Sequence, residues 1–357
     1  MIRPILAITM GDPAGIGPEI ILKALANDAD YSKAIPVIYG DQFVLRDAAR
    51  MCGLALGFRS IQLPADAIGV PGTVECIDLR RLSREDYHPG KTNAACGDAA
   101  YQYIVRAIDA AAKGEVAGIV TAPICKEALH QAGHMYAGHT EIFAAQTGVK
   151  RYAMLLMCRS LRVIHCTTHA SIRNACDLVR QERVYDVIHL AAQALQTLGI
   201  ARGRIAVAGL NPHASENGLF GSEEKEEILP AIQRAQAEGI PVTGPLPPDT
   251  VFVKALGGQY DMVVAMYHDQ GHIPLKMAGF QMDASTGRFA SMCGVNITVG
   301  LPILRVSVDH GTAFDIAGSN SANPQSMLEA MRIAAQMAPH YAKKGENNGD
   351  KAGHSGG

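Results

Sequence analysis

The chain has no C-x-x-C pair, no basic stripe, no apolar run of membrane length and no internal repeat. Each absence removes a class of function. The eight cysteines, at 52, 76, 96, 125, 158, 166, 176 and 293, include several inside apolar runs, where a free thiol behaves as a small hydrophobe. Zinc-ribbon and dithiol redox sites are therefore not expected, and a reducing cytosol is. A net charge of -2 with both signs interspersed leaves no electrostatic footprint for nucleic acid and no lysine-rich amphipathic segment for a membrane surface. No apolar segment reaches the roughly 18 residues of a membrane span, and MIRPILAITM is interrupted by GDP before a secretory signal can form. The expectation is a cytoplasmic protein whose partners are small molecules.

What is present is alternation. Short apolar runs (ILAIT, PVIYG, VAGIVTAP, YAMLLM, LRVIHCTTH, RIAVAGL, YDMVVAMYHDQG) are separated by helical patterns at 18–28, 41–52, 124–132, 183–198 and 222–238, with a terminal helix over 323–342. This order predicts an α/β fold with a largely parallel sheet flanked by helices. A length of 357 residues suits about two domains. The last stretch, KKGENNGDKAGHSGG, is polar and glycine-rich and has nothing to bury.

Ligands of open α/β sheets bind beyond the carboxyl ends of the strands, so the residues directly after each apolar run are the informative ones. VIHCTTH ends at His169, AVAGLNPH at His213, and VVAMYHD at His268 and Asp269. One histidine at a strand end is ordinarily no more than a polar terminus. Three on separate strands suit a catalytic divalent ion, because neutral imidazole is the commonest metal ligand and three protein donors leave positions for substrate. No local H-E-x-x-H signature decides between the two readings.

Other segments carry their own alternatives. In AMYHDQGHIPLK, residues 265–276, helical spacing would stack His268, His272 and Lys276 on one face, but Gly271 and Pro274 argue for a loop. AGHTE, residues 137–141, opens a helical pattern. Either Thr140 caps that helix or its first N–H groups take an anion with help from His139 and Thr140. GDPAGIGPE, residues 11–19, lacks the G-K-S/T of a P-loop and has Ile20 where a dinucleotide fingerprint needs its third glycine, so it reads as a tight connecting turn with Pro18 in the first helical turn. Lys276, Asn296 and Arg305 add an amine, an amide and a guanidinium suited to an anionic ligand. SVDHGTAFDIAG, with Asp309, His310 and Asp315, reads as a structural turn near the site.

Taken in order, GDPAGIGPE, TAP..K (Thr121 to Lys126), GHTE, TTH, GLNPHA, GPLPPDT, MYHDQG, GVNITVGLPILR and SVDHGTAFDIAG resemble the 4-hydroxythreonine-4-phosphate dehydrogenase family of vitamin B6 biosynthesis. The resemblance runs from residue 5 to residue 340 and extends to the family's 4-phosphothreonate and 4-phosphoerythronate branch. It implies a two-domain fold like that of isocitrate and isopropylmalate dehydrogenases, with the active site in the interdomain cleft of a homodimer. The implied division is 1–130 with 305–342 as one domain, 131–304 as a second bearing the metal and dimer elements, and 343–357 as a flexible tail. His169, His213 and His268 then correspond to ligands of one divalent ion (zinc, magnesium, cobalt or manganese) in a site shared across the dimer. His139, Thr140, Lys276, Asn296 and Arg305 correspond to substrate contacts, and Lys276, Asp269 and Asp249 to acid–base candidates.

The implied reaction oxidises the C3 hydroxyl of 4-phosphohydroxy-L-threonine with NAD or NADP, after which the β-keto acid loses carbon dioxide to leave 3-amino-2-oxopropyl phosphate. No residue is assigned to the nicotinamide cofactor. One departure bears on substrate: the stretch between Lys276 and Asn296, including 281–293, is longer than is usual in the family. GHIP and DHGTAFDIAG also resemble the branch acting on 4-phospho-D-threonate or 4-phospho-D-erythronate, and a further branch oxidises a terephthalate cis-dihydrodiol. From another class, a metal-dependent hydrolase or aldolase would use the same histidines without nicotinamide; a ligand-binding protein without catalysis is the third alternative.

Overall fold

The structure, a computed structural model, describes residues 3–26, 31–285 and 288–349. The chain divides into two compact units, residues 1–149 with 301–357 and residues 150–300. The first contains β1 (Ile5–Thr9), α1 (Gly17–Leu25), β2 (Ile35–Gly40), α2 (Gln42–Met51), β3 (Gly57–Ser60), β4 (Thr73–Asp78), α3 (Ala94–Ala112), β5 (Gly118–Thr121), α4 (Lys126–Gln131) and α5 (His139–Thr147). The second contains β6 (Ala153–Cys158), β7 (Leu161–His165), α6 (Ile172–Leu178), α7 (Gln181–Thr197), β8 (Ile205–Ala208), α8 (Leu229–Ala237), β9 (Val242–Leu246), α9 (Pro248–Leu256), β10 (Met262–Ala265), α10 (His268–Gly279), β11 (Phe280–Asp283), β12 (Arg288–Met292) and β13 (Val295–Val299). The chain returns to the first unit for β14 (Arg305–Val308) and α11 (Gln325–Gly349).

In the first unit the strands run in the order β3-β4-β2-β1-β5-β14, and every paired neighbour is parallel. Helices cover both faces of such a sheet, so its strands are near-continuous apolar runs. Leu6, Ala7 and Ile8 of β1 are fully buried. Pro18 stands in the first turn of α1, where a missing N–H costs nothing, and Glu19 pairs with Lys23 one turn on at 2.8 Å. Asn93 caps α3 by accepting the Cys96 N–H at 2.8 Å. Gly97 lets α3 lie against α4, since a Cβ there would meet the Ala128 carbonyl oxygen at 2.1 Å.

In the second unit the order is β13-β6-β7-β10-β8-β9. β7, β10, β8 and β9 are parallel, and β6 is antiparallel to both β7 and β13. Leu156, Val163, Ala206, Phe252, Val263 and Leu275 belong to one buried cluster.

Three expectations change. Residues 265–276 are not a loop: α10 begins at His268 and runs through Gly271 and Pro274. Proline in a helix interior costs about 3 kcal/mol. Leu275, buried in the sheet's core, and Gln270, which accepts the Met266 N–H at 2.7 Å and donates to the Gly209 carbonyl at 2.8 Å, hold the helix against that cost. The first unit extends to residue 149 rather than 130, because α5 packs within it: Gln146 donates to the Tyr101 hydroxyl of α3 at 3.0 Å. The terminal helix, expected to end at 342, continues to Gly349, and residues 350–357 of the expected tail lie outside the described residues. The long segment after Lys276 forms the antiparallel β11–β12 hairpin, closed at its base by the Cys293 N–H on the Gly279 carbonyl at 3.1 Å.

Candidate active site

In the second unit, β7 stops at His165 and the chain continues to His169, an exposed loop residue. After β10, Tyr267 leads into α10 with His268 as its first residue. The His169 and His268 rings come within 6.2 Å, inclined at 38°. The Nδ1 of His268 meets the Asp269 carboxylate at 2.6 Å, so Nε2 is the nitrogen left for a ligand. A carboxylate on the far nitrogen of an imidazole is the usual outer partner of a metal-binding histidine. His213 lines a cavity of about 810 Å³ together with the rest of its own turn, Glu224, Lys225, Leu229 and Pro247. Among the described residues no three His, Cys, Asp or Glu side chains gather as a metal site.

His213 sits in an unusual turn. Residues 213–217 (His, Ala, Ser, Glu, Asn) all have positive φ, from 46° to 63°. A left-handed residue other than glycine costs roughly 1–2 kcal/mol, so five in a row need an anchor. Glu224, almost fully buried, accepts the Leu210 N–H at 2.8 Å, the Asn211 N–H at 2.7 Å and the Asn211 Nδ2 at 2.9 Å. Gly209 supplies the room, since a Cβ there would stand 2.7 Å from the Ala214 Cα.

On α10, His268, His272 and Lys276 follow one another at four-residue spacing on one face. His272 is nearly buried and Lys276 exposed, with its Nζ 5.1 Å from the centre of the Phe280 ring at the hairpin base. Burial pushes His272 down to about 4 and His165 to about 3, so both imidazoles are neutral near pH 7. His165 was not singled out by the sequence, because it reads as part of the apolar run of β7. Asn296 lies in β13 with a buried Oδ1 that has no hydrogen-bond partner among the described residues. Asp249 is exposed in the first turn of α9, where a carboxylate favours the helix N-terminus.

The first unit holds the other expected contacts. Arg305, 2% exposed in β14, donates from Nη2 to the Thr121 hydroxyl at 2.9 Å, and its guanidinium lies 5.7 Å from the Phe143 ring. Burial pulls its pKa down to about 9 against the opposing carboxylate of Glu141. His139 opens α5, and its pKa is driven well down by burial first and by the Arg305 charge second. Its Nε2 is buried without a hydrogen-bond partner among the described residues. Gly138, not Thr140, is the N-cap residue of α5, so Thr140 stands inside the first turn. A buried guanidinium near a helix N-terminus suits an anionic group.

Asp12 was also missed. It follows β1 within GDPAGIGPE and is fully buried: Oδ1 accepts the Ala14 N–H at 2.9 Å, Oδ2 has no partner among the described residues, and burial raises its pKa to about 6. The signal available was an acid directly after a strand. The segment 307–318 is tied to the same turn by the Ile16 N–H on the Thr312 carbonyl at 2.9 Å.

Comparison with known proteins adds kinship to this geometry. The family model described as pyridoxal phosphate biosynthetic protein PdxA matches residues 32–334. D-threonate 4-phosphate dehydrogenase of Cupriavidus necator is 48% identical over 340 residues, which is 95% of this chain and 98% of that protein. The crystal structure of 4-hydroxythreonine-4-phosphate dehydrogenase from Klebsiella pneumoniae aligns with a TM-score of 0.82 at 47% identity, covering 94% of this chain and all of that one. A terephthalate 1,2-cis-dihydrodiol dehydrogenase from Burkholderia xenovorans aligns with a TM-score of 0.65 at 33% identity, covering 94% and 98%.

Proposed function

This chain belongs to the PdxA family, and from that membership we propose that it is a cytoplasmic dehydrogenase that oxidises the C3 hydroxyl of D-threonate 4-phosphate with NAD or NADP. Dehydrogenase action on a phosphorylated hydroxy acid is what the names of the Cupriavidus and Klebsiella relatives have in common. The resemblance of the motifs implies 4-phosphohydroxy-L-threonine, with 4-phospho-D-threonate as an alternative. The name shared by relatives at 48–49% identity supports the D-threonate substrate over the former. Oxidation at C3 places a ketone β to the carboxylate, so the product loses carbon dioxide and leaves a three-carbon phosphorylated hydroxyketone.

The observation that carries the anionic substrate is Arg305, a buried cation whose guanidinium lies 5.7 Å from the Phe143 ring of α5. Arg305, His139 and Thr140 are assigned to hold one anionic group of the substrate, with Lys276 and Asn296 as further contacts. Of the acid–base candidates Lys276, Asp269 and Asp249, Lys276 is favoured because it follows His268 on one helix face, whereas Asp269 is committed to orienting the His268 ring. The nitrogen donors of His268 and His169, with the Asp269 carboxylate behind the first, fit a divalent ion such as zinc, magnesium, cobalt or manganese. When bound, such an ion polarises the oxygen at the carbon being oxidised, and the nicotinamide takes up the hydride. His213 is assigned as the third ligand of a site completed across a homodimer. The exposed apolar side chains Val253, Ile273, Met277 and Met282, 60–80% accessible, support such an interface.

The test is absorbance at 340 nm with NAD and NADP against 4-phospho-D-threonate, 4-phospho-D-erythronate, 4-phosphohydroxy-L-threonine and a terephthalate dihydrodiol. The highest kcat/KM is expected for 4-phospho-D-threonate. Phosphate release with no nicotinamide reduction would favour a metal-dependent hydrolase instead.

A further inference from the structure

Four imidazoles of the second unit lie in a chain of ring contacts, His169–His268–His272–His165, and the family kinship accounts for neither His272 nor His165. His272 stacks on His268 with ring centres 3.6 Å apart and planes only 11° from parallel. Its Nδ1–H donates to the His268 carbonyl at 2.9 Å, closing the first turn of α10. Behind it, His165 meets the His272 ring at 4.8 Å and is fixed in turn by donating from Nδ1 to the Met154 carbonyl at 3.2 Å. Gly271 makes this possible, because a Cβ at that position would stand 2.3 Å from the His165 Nε2. His268 is thus gripped on its edge by Asp269 and on its face by His272, which is only 8% exposed and backed by a third ring.

We propose that His272 is a positioning residue for His268: its buried ring fixes the plane of the His268 imidazole so that Nε2 points at a divalent cation, without ligating that cation itself. The inference rests on the assignment of His268 as a metal ligand. The column depends on α10 forming across a glycine and a proline. Helical geometry brings residues 268 and 272 one above the other, and a loop would not. An outer residue of this kind commonly changes metal affinity about 10- to 100-fold.

The experiment uses the full chain stripped of metal and titrated with Co²⁺ by calorimetry, together with long-range ¹⁵N–¹H NMR of the His268 ring before metal is added. His272→Ala is expected to weaken Co²⁺ binding about 10- to 100-fold and to broaden the His268 ring signals as the ring reorients, with Asp269 still holding the Nδ1–H. His272→Phe, which keeps a flat ring but lacks the hydrogen bond, is expected to recover most of the affinity. Melting temperature is recorded for each variant, and the phenylalanine variant keeps the comparison open if the alanine variant does not fold. Loss in the phenylalanine variant equal to that in the alanine variant overturns the stacking role. Wild-type affinity and unbroadened His268 ring signals in both, with binding lost in His268→Ala, overturns the inference while the ligand assignment stands. Wild-type binding in His268→Ala overturns that assignment and the inference with it.

Discussion

Replacing Asp12 by asparagine makes a pH-dependent change in stability that can be worked from its surroundings. The carboxyl is fully buried, with one N–H donor at Oδ1 and none among the described residues at Oδ2, and its pKa rises from an ordinary 3.8 to about 6. The folded protein therefore holds the Asp12 proton more tightly than the unfolded chain does. The stability associated with that proton is complete below the unfolded pKa, declines as pH rises, and is gone once pH passes the folded value near 6. A shift of roughly two units corresponds to about 3 kcal/mol, of which about 2.5 kcal/mol develops between pH 4 and pH 8. The asparagine side chain would have no charge to desolvate and keeps an oxygen for the Ala14 N–H. The assay is urea unfolding of wild type and Asp12→Asn at pH 4, 6 and 8. The difference between them should move in favour of the variant by about 2.5 kcal/mol from pH 4 to pH 8. A difference that stays constant across that range, or moves the other way, refutes the burial argument.

Other outcomes follow from single contacts. Arg305→Gln removes a charge-assisted contact worth about 1.5–3 kcal/mol, so the KM for the phosphorylated acid should rise roughly 10- to 100-fold in steady-state assays while the KM for NAD or NADP stays close to wild type. Equal rises would make Arg305 a structural residue. Phe280→Leu should raise the same KM about two- to fivefold, the size of an exposed cation–π contact to Lys276, and Phe280→Tyr should restore it. Gly97→Ala drives a methyl into the Ala128 carbonyl at 2.1 Å, and its melting temperature should fall by an amount equivalent to about 1–3 kcal/mol. An unchanged melting curve would show that α3 and α4 are not packed as described.

The parallel strands were legible because burial on both faces writes them as continuous apolar runs, as in ILAIT and PVIYG. α3 was not legible. Its buried stripe is built largely from alanine, glycine and cysteine, small because α4 approaches so closely, and it has few of the large side chains that mark an amphipathic helix. α10 was misread because local propensity counts Gly271 and Pro274 against a helix, whereas the buried contacts of Leu275, Gln270 and His272 decide the matter from elsewhere in the chain. The residues of interest after each strand were visible as polar letters. The left-handed turn at His213 was not, because its anchor, Glu224, lies outside the NPHASENG segment. His165 shows the same limit: within β7 it looks like filler, and only the absent Cβ of Gly271 and the face of His272 give it a place.

The most direct measurement is the formation of reduced nicotinamide from 4-phospho-D-threonate, followed at 340 nm together with carbon dioxide release, before and after removal of divalent cations by a chelator. One carbon dioxide should appear for each nicotinamide reduced, both should stop on chelation, and both should return on adding Co²⁺ or Zn²⁺. Undiminished turnover in the chelated protein, or nicotinamide reduction with no carbon dioxide, would contradict a metal-dependent oxidative decarboxylation.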